Sequence, residues 1–550
     1  MDKPWLKHYP PTIPATIEIP EKPLYTLLEE GASKHQHRTA LIFFGKKISY
    51  SELQDLVNRF ASRLARLGLK KGDRVSIMLP NIPQFVIAFY AALRVGATVV
   101  QTNPLYTEHE LEEILKDADA ETIITLDRFY PKIQHIRAKT RLKHIILSRV
   151  ESFLPASKKF LLRAKWKLTR ESIPVIPAEP EAYDFETFLA EPATPMPAIS
   201  INPKEDVALL QYTGGTTGSP KGAMLTHFNL VANALQNKAW FPNAHEGQES
   251  VLAVAPFFHV YGMTIAMNLP LSSGSTLVLI PRFDIDEMLK AIDRYKPTLF
   301  PGVPTLYIAI NNHPKAKKYD LSSLRECISG SASLPSEVRE QFEKMTGAIL
   351  VEGYGLSEAS PVTHSNILDS KQVPGSIGVP LPSTEAMVLN LETNQPAKVG
   401  ESGELLIRGP QIMKGYWNKP EATQATISAE GWLHTGDVAT MNPEGYFFIV
   451  DRLKDMINCS GLKVYPKEVE EVLYQHPKIR EAAVLGIPDS YRGETVKAVI
   501  VLQPGMTLTE KEVIDFCAEP LAKYKIPKII EFRSELPKSA VGKILKRNLK

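Results

Sequence analysis

The sequence predicts an α/β protein: a large layered α/β portion followed by a small α+β unit. Three observations carry this. Helical and strand patterns alternate through the first half of the chain. The chain has 550 residues, too many for one ordinary core. Near 451–455 the apolar run FFIV gives way abruptly to alternating charges. The expected units are 1–452 and 453–550.

Each element has its own signal. In SYSELQDLVNRFASRLARLGLKKGDRV, Leu53, Leu56, Phe60, Leu64 and Leu67 recur at helical spacing. Gly68 stands where a helix ends, and RVSIML follows as a strand. FVIAFYAALRVGATVV is interrupted by Arg94 and Gly96, so it reads as a buried helix running into a strand and not as a membrane span. DADAETIITL and RLKHIILS repeat the helix-to-strand switch. Such alternation argues for a largely parallel sheet.

From about 150 to 203 the character changes. SKKFLLRAKWKLTR is basic, and Pro174, Pro177, Pro180, Pro192, Pro195 and Pro197 follow. The segment reads as a surface excursion built on a solvated connecting helix. Its charge leaves docking on anionic lipid open. Past the boundary, Val469, Val472 and Leu473 mark a helix, EAAVLGI and TVKAVIVL mark strands, and a last helix falls at 509–518.

Composition narrows the function. A hydrophobic fraction of 44% and a charged fraction of 23% are those of a globular protein. A net charge of +3 is too small to make nucleic acid the main partner. Cys327, Cys459 and Cys517 lie far apart, in neither a metal-ligand nor a disulfide pattern, which suggests a reducing cytoplasm. The first twenty residues carry no apolar run of the secretory kind.

QYTGGTTGSPKGAMLTH, at 211–227, is the chemical centre of the sequence. Its glycines and hydroxyls suggest a polyphosphate cradle, with Lys221 as a point charge. It is not a Walker A loop, since Lys221 is followed by Gly222 and not by Ser or Thr. An apolar strand signal precedes it and HFNLVANAL follows, so a strand-to-helix loop is expected. Further on, VEGYGLSEASP holds Tyr354, Ser357 and Glu358, GWLHTGD ends in Asp437, FIVDRLKD supplies Arg452 and Lys454, and LPKSAVGKILKR holds Lys543. One carboxylate can hold Mg²⁺ against a triphosphate, another can accept from ribose hydroxyls, and the cations can neutralise charge at phosphorus.

Taken together and in this order, these motifs resemble the acyl-adenylate-forming superfamily over nearly the whole chain. That superfamily includes acyl-CoA synthetases, peptide-synthetase adenylation domains and beetle luciferases. PFFHVYGM, KPTLFPGVPT, SGSASLP, VEGYGLSEASP and KGYWNKPEAT look most like the bacterial long-chain fatty-acid–CoA ligase branch. The resemblance implies a multi-sheet N-terminal domain, a mobile C-terminal lid, and activation of a fatty acid through acyl-AMP to acyl-CoA. ATP and CoA would be cosubstrates, with pyrophosphate and AMP released.

Site roles follow from the same resemblance. Thr213, Gly214, Gly215, Thr216, Thr217, Gly218 and Lys221 would grip the β- and γ-phosphates. Glu358 would bind Mg²⁺, Tyr354 would pack on adenine beside Gly355, and Ser357 would approach the α-phosphate. Asp437 would take the ribose hydroxyls, with Arg452 on ribose or phosphate. His259 would stand near the acyl carboxylate, and Lys543 would touch the α-phosphate and that carboxylate. The lid would pivot at Lys454 and bring Ser460, Gly461 and Lys463 to the site for thioester formation. Met263, Gly302, Val303, Gly330 and Pro361 would wall the acyl tunnel.

Three rivals share these residues. An amino-acid adenylation domain needs a carboxylate for the substrate ammonium, and HVYGMTIAMNLPL has none. An aryl-CoA ligase or a luciferase-like oxygenase would differ in tunnel shape. A lapsed, merely nucleotide-binding site would lack a catalytic residue, and none is missing from the motifs. Peripheral contact with the inner face of a membrane, and a homodimer, stay open.

Overall fold

Two parallel-cored sheets carry the large unit. The structure is a computed structural model describing residues 3–169, 179–213, 220–368, 373–459, 462–489, 493–539 and 544–549, with side chains in 163–169 outside that description. In the first sheet, Thr39–Phe43, Thr276–Leu279, Ser250–Ala253, Leu299–Gly302, Glu326–Ser329 and Ile349–Gly355 run parallel, with antiparallel strands at both edges. The second is built on Val207–Thr213, Thr98–Gln101, Arg74–Met78, Thr122–Leu126, His144–Ser148 and Ala182–Asp184. Its other edge is antiparallel, through Lys221–Thr226 and then Gly415–Tyr416. Helices cover both faces, so several of these strands are buried at every position.

A third, antiparallel sheet of Glu385–Leu389, Gly403–Arg408, Leu433–Met441 and Phe447–Arg452 closes the large unit. The C-terminal unit has its own sheet of five strands, with helices Pro466–Tyr474 and Glu510–Ala518. Its buried apolar clusters contain only residues from Ile457 to Leu549. Those of the large unit stop at Phe447, with Phe448 and Ile449 packed against them.

The expected elements form for the expected reasons. Helix Tyr50–Arg66 opens on Ser49, whose hydroxyl accepts from Glu52 N–H, and Gly68 stands just past its end at φ +99°. Helix Pro83–Arg94 is buried along almost its whole length and leads into Thr98–Gln101. Among the described residues no helix is long and apolar enough to cross a membrane. The basic segment is a helix, Ala156–Thr169, with Phe160 and Leu161 exposed. Pro192, Pro195 and Pro197 lie exposed on irregular chain, and Pro174 and Pro177 fall outside the described residues.

One expectation needs correction. The glycine-rich loop does not join a strand to a helix. It closes a hairpin, because Lys221–Thr226 is a strand antiparallel to Val207–Thr213. Ala223 and Leu225 point into the core there, which the sheet pairing rewards. The helix that follows, His227–Trp240, satisfies its own first N–H groups through a Thr226–Asn229 capping box. The chain therefore enters that helix from a strand and not from the loop.

Candidate active site

The hairpin places Thr213 directly opposite Lys221, so both ends of the glycine-rich loop are pinned by sheet pairing. The Thr213 hydroxyl lies 3.4 Å from the Lys221 carbonyl. Gly222 carries no side chain because the Tyr212 ring covers it, and a Cβ would sit 3.0 Å from that ring. Tyr212 in turn donates to Asp117 at 2.6 Å. On the outer side the chain at Gly415–Tyr416 pairs with the hairpin, and Trp417 N–H donates to Gly222 O at 2.8 Å. The Lys221 ammonium then stands 5.1 Å above the centre of the Tyr416 ring.

Glu358 reaches the same place from a different element. Strand Ile349–Gly355 ends where Gly355 packs on the Pro361 backbone, so closely that a Cβ would come within 2.1 Å of the Pro361 carbonyl oxygen. The next turn, Ser357–Ala359, aims Glu358 at the hairpin. The Tyr416 hydroxyl donates to Glu358 Oε1 at 2.7 Å, and Glu358 O accepts from Met413 N–H at 2.8 Å. Burial first, then the Glu358 charge, raise the Tyr416 hydroxyl far above its ordinary value, so it remains a donor. Ser357 opens this turn and is half-buried.

A second cluster forms around Asp437. Strand pairing sets Asp437 opposite Arg452, and Arg452 Nε lies 3.2 Å from Asp437 Oδ1. The Tyr354 hydroxyl donates to Asp437 Oδ2 at 2.6 Å. Burial and then the Asp437 charge push that hydroxyl well above its usual range. His364 packs edge-on to the Tyr354 ring at 5.9 Å, and burial holds His364 down to about 3, so it stays neutral. Tyr354 and Glu358 are four residues apart, so one strand and its turn serve both clusters. Lys454 joins them electrostatically. Burial and then Arg452 depress its ammonium, while Asp455, Asp437 and Glu358 oppose the shift.

The remaining expected residues divide. His259 is the N-cap of helix Val260–Met263, where its Nδ1 accepts from Tyr261 N–H at 3.2 Å. Lys463 stands 4.0 Å from Glu392. Gly214, Gly215, Thr216, Thr217, Gly218, Ser460, Gly461 and Lys543 lie outside the described residues.

Beyond His259 the helix widens into a π-turn at Thr264–Asn268 before continuing as Leu269–Ser272. Ile265 and Leu269 face a cavity of about 320 Å³, also lined by Val251, Pro301 and Ile328. Lys238, His245, Glu246 and Glu249 add charged or polar groups to its wall. None of Met263, Gly302, Val303, Gly330 or Pro361 lines this cavity. Gly302 is covered by the Tyr307 phenol and Gly330 by the Tyr261 ring, so each glycine lets an aromatic side chain approach.

The sequence reading missed Tyr416. Its motif, KGYWNKPEAT, was visible, but nothing local assigns that ring a task.

Comparison with known proteins gives a consistent result. A family model described as AMP-binding enzyme matches residues 28–417, and one described as AMP-binding enzyme C-terminal domain matches 468–543. A long-chain-fatty-acid–CoA ligase of Bacillus subtilis (strain 168) is 50% identical over 100% of this chain and 97% of its own length. The enzyme of the same name from Escherichia coli O157:H7 is 40% identical over 100% of this chain and 98% of its own. The crystal structure of the anthranilate CoA ligase AuaEII in complex with anthranoyl-AMP superposes with a TM-score of 0.84, at 29% identity, covering 97% of each chain.

Proposed function

The chain belongs to the AMP-binding enzyme family, and we propose on that premise that it activates a long-chain fatty acid, through an acyl-adenylate, to its CoA thioester. ATP is cleaved at the α-phosphate and CoA displaces AMP. The observation that carries the reading is the full-length likeness to fatty-acid–CoA ligases, at 50% identity in the Bacillus case.

The chemistry needs both clusters. A carboxylate acylates poorly because its leaving group would be oxide. Adenylation replaces that with AMP, which a thiolate can displace. Asp437 is the acceptor for ribose hydroxyls, with Arg452 beside it and the Tyr354 ring against the base. Thr213 and Lys221 anchor the loop that holds the terminal phosphates. Glu358 offers a hard oxygen donor next to that loop, and its other neighbour, Tyr416, donates to only one carboxylate oxygen. Such a donor fits Mg²⁺, which typically takes one or two carboxylates together with substrate phosphates. Bound there, the ion would neutralise phosphate charge.

An acyl chain would draw its affinity from apolar burial. Each buried methylene contributes about 0.8 kcal/mol, so ten would supply roughly 8 kcal/mol before ordering costs. The amino-acid alternative would need a carboxylate for the substrate ammonium after the aromatic motif, and HVYGMTIAMNLPL carries none. The boundary at 452/453 is supported by the separation of apolar clusters across it.

The test is fatty-acid-dependent ATP–pyrophosphate exchange, followed by AMP release with CoA. Purified protein is given saturated acids from short to very long chain, coumarate, and amino acids. Long-chain acids should support turnover best. Turnover with coumarate alone, or with an amino acid alone, would overturn the assignment.

A further inference from the structure

Tyr416 is held more firmly than a packing residue needs. Its N–H donates to the Thr423 hydroxyl at 2.9 Å, and it pairs with Ala223 on the hairpin edge. The preceding Gly415 sits at φ +146°, where a Cβ would come within 2.6 Å of the Thr423 side chain. Only glycine lets helix Pro420–Thr426 approach this closely. Tyr416 is 7% exposed. Thr426 hydrogen-bonds the same phenol that donates to Glu358 at 2.7 Å. Its ring face carries the Lys221 ammonium at 5.1 Å. One side chain therefore touches a carboxylate and a cation that reach the site from separate elements.

We propose that Tyr416 is a positioning residue for adenylation: its hydroxyl orients the Glu358 carboxylate toward the magnesium ion, and its ring sets the place of Lys221. The proposal rests on the reading of Glu358 as the magnesium ligand. The physical reason is geometric. Mg²⁺ demands near-ideal octahedral coordination, and a carboxylate free to rotate about its side chain meets that demand only part of the time. A donor on Oε1 narrows the rotation of the carboxylate and would leave Oε2 for the ion. Outer-shell partners of this kind are typically worth about 10–100-fold in metal affinity or activity. The ring adds a cation–π contact, which holds Lys221 without neutralising it.

The experiment is calorimetric titration of ATP into the full chain, with and without Mg²⁺, for wild type, Tyr416→Phe, Tyr416→Leu, Glu358→Gln and the double variant Tyr416→Phe/Glu358→Gln. Tyr416→Phe keeps the ring and loses the hydroxyl. It should weaken the Mg²⁺-dependent part of ATP affinity by about 10–100-fold and leave Mg²⁺-free binding within about twofold. In the Glu358→Gln background the same change should have no further effect. Tyr416→Leu should weaken Mg²⁺-free binding as well, through Lys221. Thermal unfolding of Tyr416→Phe close to wild type would exclude a packing defect as the cause. If Glu358→Gln abolishes the Mg²⁺ dependence and Tyr416→Phe leaves it intact, the positioning role is wrong. If Glu358→Gln leaves it intact, the magnesium-ligand reading itself fails, and this proposal fails with it.

Discussion

At the scale of single residues, the Asp437 carboxylate shows how the site is poised. One oxygen takes the Tyr354 hydroxyl and the other faces Arg452. A ribose bound there would have to share or displace these partners. At the far end of the sequence, a cation is expected to serve the first half-reaction. Lys543 sits in AVGKILKR among other lysines. If it serves the first step only, Lys543→Ala should slow adenylation by about 10²–10³-fold, or about 2.7–4 kcal/mol. Synthetic acyl-AMP with CoA should restore thioester formation to near the wild-type rate, read by acyl-CoA release. Normal adenylation, or failed rescue, would remove the assignment. Asp437, Arg452, Tyr354, Glu358 and Lys221 could be picked out of the sequence because each belongs to a recognisable motif, and the structure gathers them into two clusters. Tyr416 could not, because its meaning comes from Glu358 and Lys221, which lie 58 and 195 residues away along the chain.

At the scale of elements, periodicity located the helices and strands that bury one face or two, such as Tyr50–Arg66 and Thr122–Leu126. It failed at Lys221–Thr226, a six-residue strand beside a helix signal. There the pairing with Val207–Thr213 decides the structure, and pairing is not visible in a local pattern. A tight junction near His259 is Gly262, in helix Val260–Met263. A Cβ there would lie 2.2 Å from Pro256 O and 2.5 Å from Ala255 O. Backbone cannot swing away as a side chain can, so Gly262→Ala must push the helix off the segment holding His259. The expected cost is about 1–3 kcal/mol, the usual range for overpacking. The π-turn that presents Ile265 should shift with it, raising KM for the fatty acid. Chemical denaturation and steady-state kinetics read the two effects. A variant with unchanged midpoint and KM would show that the contact relaxes without consequence.

At the scale of the whole molecule, two units with separate apolar clusters are joined by polar contacts. Lys467, on the first helix of the small unit, donates through Nζ to Ile449 O at 2.8 Å, and its N–H donates to Asp451 at 2.7 Å. Its charge also bears on Glu352, whose carboxyl burial pushes up to about 7 against that pull. Contacts of this kind exchange readily with water, so separating the units costs less than opening a shared core. The two half-reactions need different groups at the same phosphorus and carbonyl, and rotation about the junction would supply them in turn. Lys454 follows directly on the strand Phe447–Arg452 and Leu453, in a turn. Lys454→Pro would fix φ there near −65° and restrict Leu453 as well. Pyrophosphate exchange should then survive better than thioester formation from acyl-AMP and CoA, by roughly tenfold or more, equivalent to about 1.4 kcal/mol or more between the two barriers. Lys454→Ala, which removes the ammonium and leaves the backbone free, separates the two roles of this residue. It should disturb the cluster around Asp437 and Glu358 without that bias toward the second step. Equal loss in both half-reactions for the proline variant, or the same bias in the alanine variant, would place the pivot elsewhere.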